Sequence, residues 1–427
     1  MKEWKENENR KPLIIRGARQ VGKTWIMKTF GQQYFEKTAY VNFDNNARMK
    51  QVFEGDLDIE RLVLAISAET GVSIEAENTL IIFDEIQEVP KALTSLKYFY
   101  ENAPQYAIVA AGSLLGVALH QGTSFPVGKV DFLDLYPLNF REFLCAMGEK
   151  QFVSMLDSCD TQMVTVFKTK YIERLREYYF VGGMPEVVKD FSEKKDYNRV
   201  RAIQKNLINY YQQDFSKHAE IKLVPRLNLV WNSIPMQLAK ENKKYIYGQV
   251  REGSRAKDFE LAIQWLLDCG LIHKVQRIQK PDLPLKAYID FDAFKLFLVD
   301  IGLLIAMTDL DAKVIIEGNK IFTEFKGSLT EQYILQQLIS DVGVIPYYYS
   351  TQNSKGEIDF LVQGKTSVIP IEVKAEENLK AKSLKAFCEK YQPSYAVRTS
   401  MSDYREQDWM TNIPLYAIKW IENYVNQ

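Results

Sequence analysis

The chain has 427 residues, 46% of them hydrophobic and 12% aromatic, which is enough apolar mass for two to four packed domains. Its 54 Lys and Arg face 55 Asp and Glu, and a formal charge of −1 excludes a uniformly basic nucleic-acid binder while leaving room for a local patch. Four cysteines without a C-x-x-C pair and three scattered histidines exclude a zinc pattern and a disulfide framework, which fits a reducing cytoplasm.

The first predicted element is a short apolar strand, Leu13-Ile14-Ile15, opened by Lys11-Pro12. It runs into I-I-R-G-A-R-Q-V-G-K-T, residues 14–24, and then into helix-compatible residues from Trp25 to Phe30. Gly17, Ala18, Arg19, Gln20, Val21, Gly22, Lys23 and Thr24 fit the phosphate-loop pattern G-x-x-x-x-G-K-[ST] in its required strand–loop–helix context. Glycines let several backbone N–H groups converge on one anion, and the following helix aims its positive end at the same place. On that reading Lys23 reaches the β- and γ-phosphates of ATP, and the Thr24 hydroxyl ligates Mg²⁺.

Helical periodicity near 59–68 leads to T-L-I-I-F-D-E, residues 79–85, a buried strand with two acids at its carboxyl end. Ligands of open parallel sheets bind beyond those ends. Asp84 is therefore expected to hold Mg²⁺ and Glu85 to deprotonate the attacking water. A helix near 92–101 and a third strand, Y-A-I-V-A-A-G-S (106–113), follow, with Ser113 placed to sense a γ-phosphate or simply to open a turn. A further β run spans 130–138. Strands alternating with helices predict an α/β domain on a parallel sheet over residues 1–138.

Residues 139–221 carry helical periodicity, broken at Gly182-Gly183 and Pro185, and are expected to form a helical lid. Arg141 stands where an arginine finger could reach, or is an ordinary surface base. Charge then becomes uneven: residues 51–90 hold ten acids and one base, whereas 222–280 hold eleven bases and five acids. Helix-like 223–240, a helix within 254–272 closed by Gly270, and an alternating strand at 272–278 suggest a winged-helix-like module over 222–290. Its bases would meet nucleic acid or a protein partner, or form a solvated helical face used only for packing between domains. The apolar stretch at 296–307 is interrupted by Asp300 and is too short to cross a bilayer, so no membrane partner is expected.

Over 291–427, Asp359 lies on one apolar strand, and Glu372 and Lys374 lie two apart on the next, hence on one face. Glu331 begins an amphipathic-looking helix in F-K-G-S-L-T-E-Q-Y-I-L-Q-Q-L. Acids and a lysine in that order would suit a second Mg²⁺ or a Mn²⁺ between Asp359 and Glu372. The plainer reading is a β-hairpin with charges on its outer face.

The motifs G-A-R-Q-V-G-K-T, L-I-I-F-D-E-I-Q, A-A-G-S-L-L-G, Y-P-L-N-F-R-E-F, the G-G-M-P-E turn and F-K-L-F-L-V-D-I-G-L-L, in this order, resemble a prokaryotic group of AAA-type ATP-binding proteins. That group lies close to the archaeal-type and signal-transducing ATPases and carries a C-terminal domain of unknown function. The resemblance implies a P-loop core, a helical lid, a winged helix and a C-terminal fold like restriction endonucleases. The D…E-x-K motif of that last fold maps onto Asp359, Glu372 and Lys374, and its helix acid onto Glu331. The implied activities are ATP hydrolysis with Mg²⁺ and, at the C-terminal site, cleavage of nucleic acid. The alternative is an ATP-gated switch whose nuclease-like domain is an inactive platform.

Overall fold

The structure is a computed structural model that describes residues 1–112, 125–240, 243–316, 323–351, 356–376 and 381–427. The chain packs as two units. The first comprises residues 1–136 with 265–271, and the second residues 137–264 with 272–427.

In the first unit, five strands form one sheet: β1 (Leu13–Arg16), β2 (Lys37–Asn42), β3 (Thr79–Asp84), β4 (Ala107–Ala111) and β5 (Asp131–Asp134). Their order is β2-β3-β4-β1-β5 and every pairing is parallel. Parallel strands covered by helices on both faces read as continuous apolar runs, which is why β3 and β4 are buried at every position. The edge strand β5 instead alternates partly buried with exposed residues and is shorter than the run expected from sequence. The helix Ile59–Thr70 starts where Asp58 accepts from the Arg61 N–H and stops at Gly71 in the left-handed conformation. Pro90 opens the helix Pro90–Asn102, where its missing N–H costs nothing.

The second unit combines helices with an eight-stranded mixed sheet. Its strands are β6 (Ile272–Ile278), β7 (Ile289–Leu298), β8 (Tyr347–Ser350), β9 (Glu357–Gln363), β10 (Val368–Val373), β11 (Val397–Ser400), β12 (Arg405–Gln407) and β13 (Met410–Pro414). The order is β12-β13-β11-β10-β9-β8-β6-β7. Over 222–290 the chain forms the helices Val224–Leu238, Tyr247–Val250 and Ala256–Asp268 and then the antiparallel pair β6–β7. The second edge of β6 pairs with β8, so this hairpin belongs to the C-terminal sheet. The division expected at 290/291 falls inside β7.

The helix Thr323–Gln337 corrects one expectation. It is not amphipathic: residues 328–338 are buried throughout. Its glutamines replace the expected solvent face with hydrogen bonds to backbone. Gln332 accepts from the Leu298 N–H and donates to the Leu298 carbonyl, Gln336 accepts from the Ile301 N–H, and Gln337 accepts from the Phe140 N–H. Buried polar groups are tolerated when so paired.

Asp300 ties the helical layer together. It caps the helix Ile301–Met307 by accepting from the Leu303 N–H at 3.0 Å, and it accepts from the Gly183 N–H at 2.6 Å. A Cβ on Gly183 would lie 2.1 Å from the Leu138 carbonyl oxygen, so only glycine permits this approach. Asp300 is completely buried, and burial pushes its carboxyl up to about 6 against the pull of its N–H donors. Asp300→Ala leaves at least two buried N–H groups without an acceptor. It should lower stability by about 2–4 kcal/mol, read as an earlier urea midpoint, with Asp300→Asn losing less because one acceptor oxygen remains.

Candidate functional site

The phosphate loop joins the end of β1 to the helix Lys23–Tyr34. Its shape depends on glycine at both ends. Gly17 has φ +146°, and a Cβ there would meet the Leu135 carbonyl oxygen at 2.2 Å. Gly22 caps the helix at φ +96°. Gln20 also sits at positive φ, as does Glu85 just past β3, a conformation that non-glycine residues keep only where their surroundings impose it.

Lys23 is 7% exposed and curls back on its own loop, donating from Nζ to the Gly17 carbonyl at 2.8 Å and to the Ala18 carbonyl at 2.7 Å. Burial lowers its ammonium to about 8, although Glu85 and Asp84 pull the other way. Thr24 Oγ1 donates to Asp84 Oδ2 at 2.7 Å, joining loop and β3 across sixty residues of sequence. Asp84 is buried, and its Oδ1 accepts from the Glu85 N–H at 3.1 Å. Gln87 Nε2 donates to Glu85 Oε2 at 2.6 Å. A hydroxyl and a carboxylate in contact at the mouth of a phosphate loop form a hard-oxygen donor set, the chemistry that suits Mg²⁺.

The structure thus brings Lys23, Thr24, Asp84 and Glu85 into one locality, as the motif spacing predicts. Ser113 lies outside the described residues. Arg141 belongs to the second unit, where it pairs with Asp341 at 3.0 Å and with Asp157. Sequence reasoning missed two contributors. Tyr40 donates to Asp84 Oδ2 at 2.9 Å. Gly270, from a distant part of the chain, lies so close to the loop that a Cβ would stand 3.1 Å from the Ala18 nitrogen. Neither has a local pattern that could have revealed it.

In the C-terminal cluster Asp359 and Glu372 lie on adjacent strands, and Glu331 reaches the Asp359 carboxyl. β9 and β10 are antiparallel neighbours. Asp359 Oδ2, however, accepts from the Val373 N–H at 2.7 Å, and the Asp359 carboxyl hydrogen-bonds Glu331. Glu372 accepts from the Leu384 N–H at 3.2 Å and pairs with Lys374 Nζ at 2.7 Å. Two further lysines complete the cluster. Lys243 pairs with Glu331, and the fully buried Lys295 pairs with Glu357 and stands 3.7 Å from Glu331. Burial of its carboxyl group, and then the Glu331 charge, push Asp359 up to about 7. Burial works to raise Glu331 as well, but Lys243 and Lys295 hold it below the ordinary value. Among the described residues, no three His, Cys, Asp or Glu side chains converge as a metal site. Asp359 and Glu372 thus accept from separate backbone N–H groups, and the ammoniums of Lys243, Lys295 and Lys374 lie against the acids.

In the basic segment, Arg277 is paired with Asp290 and Lys280 with Asp282, while Arg255 and Lys257 are exposed. No helix among the described residues is long and apolar enough to cross a membrane.

Residues 9–144 match the AAA domain family. Residues 172–314 and 326–418 match two domains of unknown function, DUF8612 and DUF4143. No curated protein matches the chain. Among solved structures, the Walker-type ATPase PABY2304 of Pyrococcus abyssi is similar at 14% identity and TM-score 0.44, over 72% of this chain and 94% of that one. The Drosophila ORC bound to AT-rich DNA and Cdc6 is similar at 12% identity and TM-score 0.22, over 72% of this chain and 86% of that one. At these scores neither likeness bears on fold or function. The parallel sheet and the glycine-bounded loop at the end of β1 lie within the residues that match the AAA domain family, as a P-loop nucleotide-binding fold requires.

Because the Lys23 ammonium titrates near 8, anion binding at this loop should weaken above that pH. Nucleotide affinity is expected to hold steady below pH 7 to 8 and to fall about tenfold by pH 9, one proton being required per phosphate site. Calorimetric affinities that stay flat from pH 7 to 9 would place the essential charge on another residue.

Proposed function

We propose that the first unit binds ATP with Mg²⁺ and hydrolyses it. The observation that carries this reading is the Thr24–Asp84 contact at the carboxyl ends of two non-adjacent parallel strands. In this reading the N–H groups of residues 17–24 cradle the phosphates, aided by the positive end of the Lys23–Tyr34 helix. Lys23 exchanges its two carbonyl acceptors for phosphate oxygens. Thr24 and Asp84 would hold the Mg²⁺, which would supply charge neutralisation on the phosphates. Glu85 takes the proton of the attacking water, and Gln87 keeps its carboxylate oriented. Arg141, already spent on Asp341 and Asp157, is assigned no part in the reaction.

The test is a pair of substitutions. Lys23→Ala should abolish measurable ATP binding. Glu85→Gln should bind ATP but turn it over about 10²–10⁴-fold more slowly, the usual contribution of a general base. Wild-type affinity in the first variant, or wild-type phosphate release in the second, rejects the assigned role.

For the C-terminal domain, the inactive-platform reading is favoured over nuclease chemistry. It is supported by Lys243 and Lys295, whose ammoniums lie against the acids a catalytic metal would need. An ammonium neutralises carboxylates but has no open coordination position for water or phosphate. Exposed Arg255 and Lys257 are the bases that the 222–290 segment would offer a polyanion, nucleic acid first among them. With Mn²⁺ or Mg²⁺, with or without ATP, purified protein should show no DNA or RNA cleavage that disappears in Asp359→Ala. Cleavage sensitive to that substitution would restore the nuclease reading.

A further inference from the structure

We infer that Tyr40 is a positioning residue of the nucleotide site, fixing the orientation of the Asp84 carboxylate that the reading above assigns to Mg²⁺. Tyr40 lies on β2, and its neighbour on the same face, Asn42, pairs in register with Asp84. The phenol donates to Asp84 Oδ2 at 2.9 Å, on the same oxygen that Thr24 reaches at 2.7 Å. Asn42 Nδ2 in turn donates to the phenol oxygen at 3.4 Å. With the Glu85 N–H on Oδ1, the carboxylate is gripped from the loop helix, from its own strand and from β2. Rotation about its last torsion would break all three contacts.

The two hydroxyl donors are not equivalent. Thr24 belongs to the helix whose first residue, Lys23, must turn from carbonyls to phosphate when nucleotide binds. Tyr40 stands instead on β2, a strand of the sheet. Its ring is held by Lys28, whose Nζ lies 3.6 Å from the ring centroid. Tyr40 is only half-buried, so a hydroxyl aimed at solvent was open to it, yet it donates to the carboxylate.

The proposal rests on the Mg²⁺-dependent ATP reading, and the experiment separates the two. Tyr40→Phe keeps the ring, its packing and the Lys28 contact, and removes one hydroxyl. Binding of a fluorescent ADP analogue is measured in EDTA and in Mg²⁺, together with the Mg²⁺ concentration that half-saturates ATP hydrolysis. Tyr40→Phe should bind the analogue in EDTA as wild type does, with an unchanged melting temperature. The tightening produced by Mg²⁺ should shrink about tenfold, the scale of one lost hydrogen bond to a charged group, and the half-saturating Mg²⁺ should rise in parallel. An identical Mg²⁺ response in variant and wild type overturns the role of Tyr40 and leaves the ATP reading intact. Equal weakening with and without Mg²⁺ also overturns it, since that marks a general structural contribution. Wild-type protein that binds the analogue with no response to Mg²⁺ overturns the metal reading of Asp84 and the Tyr40 proposal together.

Discussion

The Thr24–Asp84 hydrogen bond connects two strands that do not touch. β4 lies between β1 and β3, so the two backbones run about 9.5 Å apart at ordinary strand spacing. Only side chains leaving the carboxyl ends can bridge that gap, and only if the loop after β1 curls over the sheet edge. Gly17, pressed against the Leu135 carbonyl, and Gly22, capping the next helix, make that curl possible. The rest of the site follows. Lys23 is the first residue of the helix that the curl launches, and Glu85 follows Asp84 in a left-handed conformation that holds it at the end of β3.

The two clusters of ionisable groups in this chain solve opposite electrostatic problems. At the phosphate loop an ammonium is buried against neutral carbonyls, which satisfy its hydrogen bonds without cancelling its charge. Burial therefore costs that ammonium part of its proton affinity, and an arriving phosphate restores it. In the C-terminal cluster, carboxylates are buried against lysines. The Glu331 and Glu357 charges hold the proton on fully buried Lys295, with Asp359 adding to them, despite complete desolvation. The first arrangement is poised for an anion, and the second is largely neutralised from within. Buried ion pairs of the second kind are costly to break by removing one partner, because the survivor is left charged and dry.

Several features were legible in the sequence. The strand–loop–helix context of G-x-x-x-x-G-K-T, the acids closing T-L-I-I-F-D-E, the break at Gly182-Gly183 and the strand at 272–278 all appear where local pattern put them. The run F-K-L-F-L-V holds a further signal that its apolar pattern alone passes over. A lysine inside an otherwise apolar strand must find a carboxylate, although nothing in the run says which one. The helix after Phe325 misled, because glutamines count as solvent-facing in any periodicity argument, whereas here they meet strand and helix ends.

The sequence by itself placed the segments that became β1, β3, β4 and β6 and the helices over Ile59–Thr70 and Pro90–Asn102, and marked one loop as a candidate anion cradle. These follow from side-chain period and glycine placement, which act over a few residues. The tertiary structure alone decided that Tyr40 grips Asp84, that Gly270 closes on the loop, and that Lys243 and Lys295 face Glu331. Those contacts join residues separated by 36 to 252 positions, and their energies depend on burial and distance, which no local pattern of residues encodes.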